Sequence, residues 1–260
     1  MVLSSRKNPA VLKYRRLARE RAYREECGEF PIEGARLCDE AVRCGLALTG
    51  FYATEAAREK YEKIFSAISQ RIAPIMISAD VADYISDTKS PQGLFITAKT
   101  LDKTPDMGKI IKGGRYLLLD GLQDPGNVGT MLRTADAFGL SGVILSPDCA
   151  DLYAPKTVRS AMGSLFRLAA IRMPLVGAVA ELKKSGYRVY AATPDVDAVP
   201  ITRLTLGENT AVVIGNEGNG ISREVYLASD QKLYIPIENA ESLNAASAAA
   251  IVCWELRRNA

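Results

Sequence analysis

The feature that most constrains the fold is a regular alternation of apolar runs and helical segments between residues 116 and 258. Runs such as YLLLD (116–120) are largely apolar without polar alternation, which is typical of parallel strands buried on both faces. The alternation predicts an α/β fold with a doubly wound parallel sheet. The predicted strands are 116–120, 142–146, 166–171, 187–193, 211–216 and 232–237, and the predicted helices are 127–138, 156–164, 175–185 and 243–258.

A shorter pattern of mixed helices and strands precedes this region. Asn8-Pro9 opens a predicted helix that continues to about Glu26, because proline suits the first helical turn. A polar stretch that contains Pro105 and ends in two glycines predicts a linker. We therefore expect a small α/β sandwich domain at 1–104, a linker at 105–114 and a second domain at 115–260. In the first domain a further helix is predicted at 34–43 and strands at 46–53, 72–78 and 93–98.

The composition limits the chemistry that this chain can perform. The sequence contains no histidine, which excludes Ser-His-Asp and Cys-His nucleophile systems as well as a histidine general base. Its five cysteines form no CxxC pair, so we expect reduced thiols and no metal site. An N-terminus without an apolar signal core and the absence of a long apolar stretch predict a cytoplasmic protein without a membrane segment.

Positive charge is concentrated at the start of the chain. Residues 1–26 hold eight Lys or Arg and three Asp or Glu, whereas the whole chain has a formal net charge of only +3. Such a segment is consistent with phosphate contacts to a nucleic acid. A solvated helix face explains the same pattern, so the charge alone leaves both interpretations open.

Two of the three segments that could carry chemistry follow predicted strands directly. DGLQDPGNVGTMLRTADAFG (120–139) places Asn127 where a helix N-cap is expected, and Arg133 lies six residues further on. VVIGNEGNGIS (212–222) has three glycines in six residues and one carboxylate, Glu217, which favours a loop that exposes its backbone to a ligand. Taken alone, the first segment has a simpler interpretation as an ordinary strand–turn–helix. In the second, Glu217 could simply be a solvated carboxylate.

The third segment is YIPIENAESLNAASAAAIVCWEL (234–256). Ser242, Asn244 and Ser247 are small polar residues at the start of a predicted helix, where backbone N–H groups lack partners. Ser242 could simply cap that helix. All three segments lie at the C-terminal ends of predicted parallel strands, where open α/β sheets bind their ligands.

Together and in this order, the segments resemble the SpoU–TrmH family of RNA 2′-O-ribose methyltransferases in the SPOUT class. Residues 8–42 also resemble the accessory RNA-binding domain of that family, a module similar to a ribosomal protein, through Phe30, Ile32, Glu33 and Gly34. The residues that match the three motifs are Asn127, Gly129, Arg133, Thr134 and Ala135, then Gly215, Glu217, Gly218 and Gly220, then Ile235, Pro236, Ser242, Leu243, Asn244 and Ala248.

The resemblance implies a cofactor, S-adenosylmethionine (SAM), no metal, and a deep trefoil knot at about 210–258. It implies a homodimer through the catalytic domain and an RNA substrate, with large-subunit rRNA favoured over tRNA. Arg133 is implied as the essential group at the ribose hydroxyl, either as a base or as an orienting cation. The implied catalytic residues are Arg133, Asn127, Glu217, Ser242 and Asn244; those for the cofactor are Ile214, Gly215, Gly218, Ile235, Ile237, Leu243 and Asn244; those for RNA are Lys13, Arg15, Arg16, Arg19 and Arg133.

Four alternatives stand beside this reading. The chain could methylate the ribose of a tRNA, or it could be a SPOUT enzyme that methylates a base nitrogen. It could also be a ribosome assembly factor that binds RNA without catalysis. A nucleotide-dependent oxidoreductase is the fourth, although the glycine loop does not have the GxGxxG spacing of dinucleotide sites.

Overall fold

A computed structural model describes residues 2–101, 114–195 and 197–258. Most of the predicted linker, 105–113, therefore lies outside the described residues. The chain divides into two compact units. Residues up to 101 together with 151–166 belong to the first, and the remaining described residues belong to the second. The first unit thus includes a segment, 151–166, that the sequence places in the second domain.

The secondary structure alternates as the sequence predicts. The helices are α1 Pro9–Arg19, α2 Arg21–Cys27, α3 Ala35–Arg43, α4 Glu55–Lys60, α5 Glu62–Ser69, α6 Ala79–Ile85, α7 Pro125–Ala137, α8 Pro155–Ala161, α9 Ser164–Arg167, α10 Leu175–Lys184, α11 Arg223–Ala228 and α12 Ala245–Arg258. The strands are β1 Glu29–Glu33, β2 Leu48–Ala53, β3 Ile75–Met76, β4 Leu94–Lys99, β5 Arg115–Leu119, β6 Gly142–Leu145, β7 Ala169–Arg172, β8 Arg188–Ala192, β9 Val199–Pro200, β10 Thr210–Ile214 and β11 Gln231–Tyr234. A 3-10 turn at Ile201–Arg203 follows β9.

The first unit is built on a four-stranded sheet with the order β1-β4-β2-β3. Neighbouring strands are antiparallel except for β2 and β3. Tyr14 of α1 packs edge-on against Tyr52 and Phe95 of the sheet, with both pairs of ring centroids 5.5 Å apart. Burial of these rings and of the apolar residues around them stabilises the helix on the sheet.

Three predictions for the first unit were wrong in detail. The predicted 8–26 helix breaks at Glu20, whose backbone is extended, and α2 buries Arg24 in a hydrogen bond to the Leu17 carbonyl (2.6 Å). The predicted 72–78 strand shrinks to β3, which follows Pro74, a residue without an N–H to donate. Strand β1 was not predicted, and it tolerates Pro31 because it lies at an edge of the sheet.

A buried ion pair attaches the segment after residue 150 to the first unit. The Arg24 guanidinium donates from Nε (2.8 Å) and Nη2 (2.5 Å) to Oδ2 of Asp151, and their side chains are 6% and 16% exposed. Such a pair is strongly destabilising when only one partner is removed, because the other charge remains buried.

We expect Asp151→Ala to lower the free energy of unfolding by about 3–5 kcal/mol, because it strands the Arg24 charge. Asp87→Ala is the control, since it removes a carboxylate that pairs with Arg159 (2.6 Å) at 43% exposure and should change stability by less than about 1 kcal/mol. Urea denaturation measures both. Equal effects of the two variants would contradict the argument.

The second unit contains a seven-stranded sheet with the order β7-β6-β5-β10-β8-β11-β9, in which all neighbouring strands are parallel. This confirms the predicted parallel α/β sheet. Leu117, Leu118 and Leu119 of β5 are fully buried, as expected for a strand covered on both faces. Helices α10 and α11 pack with one set of buried strand residues, while α12 packs on α7 and on the central strands β5 and β10.

Two predicted strands of this unit have different ends. The 166–171 strand begins only at Ala169, because Phe166 lies in α9 and packs near the Phe30 ring, with centroids 6.3 Å apart. The 232–237 strand ends at Tyr234, two residues before Pro236, which has no N–H to donate to a neighbouring strand. Strand β9 and helix α11 were not predicted. Among the described residues, no helix is both long and apolar enough to span a membrane.

Candidate cofactor site

The three motif segments meet at one edge of the parallel sheet. Ile214 at the end of β10 pairs with Leu119 at the end of β5, and parallel pairing of β10 with β8 and of β8 with β11 brings the following loops to the same edge. A cavity of about 790 Å³ lies there, a size typical of small-molecule sites. Its lining residues are Ala192, Thr193, Pro194, Ile214, Gly215, Asn216, Glu217, Gly220, Tyr234, Ile235, Pro236, Ile237, Glu238, Glu241, Ser242, Leu243, Asn244, Ala245 and Ala248.

The glycine loop after β10 folds back on itself. Asn216 and Gly220 exchange two backbone hydrogen bonds of 2.9 Å, and Gly220 adopts a positive φ of 69°. A Cβ on Gly215 would lie 2.3 Å from the carbonyl carbon of Gly220 and 2.5 Å from the Ile221 nitrogen. Residue 215 must therefore be glycine, because any side chain would keep the two arms of the loop apart. Residue 220 must be glycine for a different reason, since its positive φ disfavours residues with a Cβ.

Asn216 fastens this loop to the one after β5. Its side-chain amide donates to the carbonyl of Gly121 (2.8 Å), and its Oδ1 accepts from the N–H groups of Gly218 (2.8 Å) and Asn219 (3.1 Å). The sequence analysis did not select Asn216. An asparagine among glycines is a common turn former, and this signal could have identified it.

Asp120 makes a second link between the same two loops. Its Oδ2 accepts from both the N–H and the hydroxyl of Ser222 at 2.7 Å, and the Asp120 N–H donates to the Ile214 carbonyl (2.9 Å). The residue is only 7% exposed. Asp120 and Ser222 were also missed, since their pairing joins positions 102 residues apart in sequence.

We expect Asp120→Ala to weaken binding of SAM, the cofactor that the motif resemblance implies, roughly tenfold. It should also lower the free energy of unfolding by about 1–3 kcal/mol, because two hydrogen bonds to a charged acceptor are lost. Asp120→Asn keeps one acceptor oxygen and should have a smaller effect on both. Calorimetric titration and urea denaturation measure the two quantities. A SAM affinity equal to that of the unmodified chain in Asp120→Ala would contradict this role.

Asn127, Glu217 and Asn244 form a hydrogen-bonded chain that joins the three motifs. The Asn127 amide donates to the Glu217 carboxylate (2.5 Å), and its Oδ1 accepts from the Asn244 amide (3.4 Å). The predicted N-cap role of Asn127 is wrong, because Asp124 caps α7 through a hydrogen bond from the Asn127 N–H (2.8 Å). This leaves the Asn127 side chain free to reach the other two motifs.

Asn244, rather than Ser242, occupies the capping position of α12. Its Oδ1 accepts from the N–H groups of Ala246 (2.9 Å) and Ser247 (3.3 Å). The same side chain thus caps the helix with its oxygen and reaches Asn127 with its amide nitrogen. Ser242 instead lines the cavity.

The structure gathers most, but not all, of the predicted site residues. Gly218 lies in the turn of the glycine loop and is not part of the cavity wall. Arg133 is exposed on α7 and makes no hydrogen bond or ion pair with the residues that the structure describes. The predicted cofactor residues that line the cavity are Ile214, Gly215, Ile235, Ile237, Leu243 and Asn244.

The predicted RNA-binding side chains of α1 have different environments. Lys13 pairs with the buried carboxylate of Glu29 (2.7 Å), and Arg16 pairs with Glu20 (3.1 Å). Arg15 stacks 3.6 Å above the centroid of the Tyr84 ring. Arg19 is exposed and has no ion pair among the described residues.

The environment of Glu29 shows how firmly Lys13 is engaged. Burial alone would raise the pKa of the Glu29 carboxyl, but hydrogen bonds from Lys13, Lys99 and Thr49 outweigh it and hold the pKa below its usual value. Lys13 is therefore part of an internal charge cluster, which limits its availability for an external phosphate.

Three motif segments converge around a cavity at the strand ends of a parallel sheet, an arrangement consistent with the SPOUT methyltransferase fold. Residues 114–254 match the family model described as "SpoU rRNA Methylase family", and the chain belongs to this family. Residues 8–96 match a second model, the "MRM3-like substrate binding domain".

Relatives and solved structures of this family extend over nearly the whole chain. The chain is 34% identical to the 23S rRNA (guanosine(2553)-2′-O)-methyltransferase RlmP of Bacillus subtilis, covering 98% of both proteins. It is 30% identical to the 23S rRNA (uridine(2479)-2′-O)-methyltransferase of Streptomyces viridochromogenes, covering 97% of this chain and 90% of the relative. The crystal structure of AdoMet-bound rRNA methyltransferase from Sinorhizobium meliloti superimposes with a TM-score of 0.87 at 27% identity, over 99% and 97% of the two chains.

Proposed function

We propose that this chain transfers a methyl group from SAM to the ribose 2′-hydroxyl of a nucleotide in large-subunit rRNA. The observation that carries the proposal is the convergence of Asn127, Glu217 and Asn244, one from each motif, beside the cavity at the strand ends. Both relatives named above are 23S rRNA 2′-O-methyltransferases, although for different nucleotides.

The cavity fits SAM in size and chemistry. Ile214, Ile235 and Leu243 supply an apolar wall for an adenine ring, and Gly215 and Gly220 of the glycine loop line the same cavity. Polar side chains of Asn244 and Glu217 stand at the same cavity. When bound, SAM supplies an electrophilic methyl group on a sulfonium, so the chain itself needs to provide alignment and a path for one proton.

The hydrogen-bonded chain of the three motifs supports an orienting role. The Glu217 carboxylate and the Asn244 amide together fix both the donor and the acceptor end of the Asn127 side chain. In this proposal Asn127 positions the ribose, while Glu217, Ser242 and Asn244 shape the site around it. Arg133 acts on the hydroxyl or on a neighbouring phosphate.

The first unit is proposed to hold the RNA substrate, as the match to a substrate-binding domain suggests. Phosphate contacts fix the orientation of a nucleic acid and depend steeply on salt. Among the α1 cations, Arg19 is the most available because it is exposed without an ion pair, followed by Arg15 on Tyr84. Lys13 pairs with the buried carboxylate of Glu29, whereas Arg16 forms an exposed ion pair with Glu20 one helical turn away.

We expect Arg19→Ala to weaken rRNA binding and to reduce the slope of log affinity against log salt by about one, because one phosphate contact is lost. Lys13→Ala, which removes a cation already paired with Glu29, should leave the slope nearly unchanged. Filter binding over a salt series measures both. A larger slope change for Lys13→Ala than for Arg19→Ala would place the RNA contact elsewhere.

We propose a homodimer that forms through α7 and α12. Trp254 is 52% exposed and contacts Phe138 edge-on, with ring centroids 5.9 Å apart. Both residues lie at the α7–α12 pair, which also carries the exposed Arg133. A second copy of the chain that covers Trp254 would bring its own Arg133 to this face, and light scattering of Trp254→Asp against the unmodified chain tests this arrangement.

We also propose a knot in the second unit, a domain boundary near 105–114 and a cytoplasmic location. A knot at about 210–258 is supported by β10, which lies between β5 and β8, and by α12, which returns to pack on β5 and β10 after β11 has paired beyond β8. A domain boundary near 105–114 is supported by the two units, with 151–166 added to the first. A cytoplasmic location is supported by the five cysteines, which are all free thiols.

Incubation with methyl-labelled SAM and total RNA, followed by nucleoside analysis, tests the activity. The expected product is a 2′-O-methylated nucleoside in 23S-type rRNA. Label in a base would overturn ribose methylation, label in tRNA would overturn the substrate class, and absence of label would favour an RNA-binding assembly factor. Titration with NAD in place of SAM tests the oxidoreductase alternative.

A further inference from the structure

The turn after β8 forms part of the cavity wall. Ala192, Thr193 and Pro194 line the cavity. The Thr193 N–H donates to the Leu233 carbonyl of β11 (2.9 Å), and the Ala198 N–H closes the turn on the carbonyl of Asp195 (3.1 Å). These backbone hydrogen bonds fix the two ends of the turn. The side chains of Asp195 and Asp197 in the turn make further contacts.

Two side chains from neighbouring elements, Tyr226 and Lys232, bind these aspartates. The Tyr226 hydroxyl of α11 donates to Oδ2 of Asp195 (2.5 Å), and Nζ of Lys232 in β11 pairs with Oδ2 of Asp197 (2.7 Å). Nζ of Lys232 also lies 4.4 Å from the centroid of the Tyr226 ring, within the range of a cation–π contact. The four residues form one cluster, which we call the Tyr226–Lys232 latch.

The protonation states of the latch residues favour its hydrogen bond and its ion pair near neutral pH. The hydrogen bond to Asp195 raises the pKa of Tyr226, and the hydrogen bond from Lys232 lowers the pKa of Asp197. The phenol therefore stays a donor and the carboxylate stays ionised near neutral pH. An ion pair with an aspartate that is 69% exposed contributes little to global stability, so the main effect of the latch is local.

We propose that Tyr226 and Lys232 are positioning residues for SAM binding, which fasten the turn after β8 so that Thr193 and Pro194 form a wall of the cavity before the cofactor arrives. This inference rests on the proposed function of the cavity as the SAM site. If the wall is ordered before SAM binds, no binding free energy is lost to ordering it, and the affinity for SAM is higher. The latch does not touch the reacting atoms, so it affects the dissociation constant and KM for SAM rather than kcat.

Tyr226→Phe and Lys232→Met remove the two grips while keeping the ring and most of the side-chain volume. Each is expected to raise the dissociation constant for SAM roughly three- to tenfold, the usual effect of losing one hydrogen bond. The double variant should lose more than either. Lys232→Arg keeps the cation and its contact with the ring, and should restore affinity to within about twofold.

Lys184→Met is the matched control, because Lys184 pairs with Glu181 on α10 (2.6 Å) and neither residue lines the cavity. Calorimetric titration of the full chain with SAM gives the affinities, and hydrogen exchange without SAM reports the backbone amides of Ala192, Thr193, Asp195, Asp197 and Ala198. We expect faster exchange there in the double variant, an unchanged thermal midpoint, and kcat within about twofold at saturating SAM.

The outcomes separate this inference from the function on which it rests. Unchanged SAM affinity in a folded double variant, while the unmodified chain binds SAM, would overturn the latch alone. Equal losses in Lys184→Met, or a fall in kcat without a change in KM, would also overturn it. Failure of the unmodified chain to bind SAM would overturn the proposed function and the latch with it.

Discussion

Replacing Gly215 with alanine is expected to abolish SAM binding, weakening it by at least roughly 100-fold. The backbone φ of Gly215 is not positive, so alanine can adopt its conformation, and the obstacle is space. The new Cβ would lie 2.3 Å from the carbonyl carbon and 2.5 Å from the oxygen of Gly220. These are backbone atoms, so the loop itself has to move.

A displaced glycine loop affects the whole edge of the cavity. Gly215 and Gly220 both line it, and Asn216 between them carries the link to Gly121. Overpacking of this kind also lowers the free energy of unfolding, by about 1–3 kcal/mol. The variant should remain mostly folded at room temperature. The expected loss of SAM affinity is therefore larger than partial unfolding alone would cause.

Two glycines provide controls for this prediction. A Cβ on Gly218, in the same loop, would meet only Oδ1 of Asn216 at 3.5 Å, and a Cβ on Gly177 would meet nothing within 4 Å. Gly218→Ala should bind SAM within a few fold, and Gly177→Ala in α10 should be neutral or stabilising by up to about 1 kcal/mol. Calorimetric titration and thermal unfolding of the three variants decide the matter. SAM binding by Gly215→Ala equal to that of Gly218→Ala would show that the loop tolerates the extra atom.

The catalytic half of the fold was largely predictable because its strands are marked by sequence-local signals. Apolar runs such as 116–120 identify buried parallel strands, and the breaks between them identify the helices. The predictions failed where a distant partner decides the local structure. Phe166 was assigned to a strand from its apolar neighbours, but it lies in α9 near the Phe30 ring, 136 residues earlier in the chain.

The candidate site shows the same limit. Motif positions identified Asn127, Glu217 and Asn244, and the structure joins them by hydrogen bonds. Their connecting residues were missed, because the value of Asp120 to the site depends on Ser222 from another loop. A carboxylate after a strand has no sequence signal that distinguishes such a partner from solvent.

Replacing Arg133 with alanine is expected to reduce the rate of methyl transfer by roughly 10³-fold while SAM affinity stays within about twofold. Arg133 does not line the cavity, so its loss should spare cofactor binding. A guanidinium keeps its proton in proteins, which favours an orienting cation over a base. Arg133→Lys separates the two roles, since lysine loses its proton more easily but lacks the planar fork that holds a phosphate through two bonds.

If Arg133 orients a phosphate, Arg133→Lys should be nearly as slow as Arg133→Ala at every pH. If it acts as a base, Arg133→Lys should gain activity as the pH approaches the lysine pKa of about 10.4. Single-turnover methylation of rRNA, with SAM affinity measured in parallel, records the difference. Arg133→Ala that methylates at an undiminished rate would remove this residue from the mechanism altogether.

Arg133 is exposed on α7, which leaves it accessible to a second copy of the chain. In this chain Arg133 has no polar contact with Asn127, although Asn127 belongs to the same helix. We propose that, in the dimer, Arg133 of one protomer completes the site that contains Asn127 of the other. A heterodimer of Arg133→Ala and Asn127→Ala, purified through two different tags, then retains one intact site and should have about half the activity of the unmodified dimer. If both residues act within one protomer, neither site is intact, and the heterodimer should be as inactive as the two homodimers.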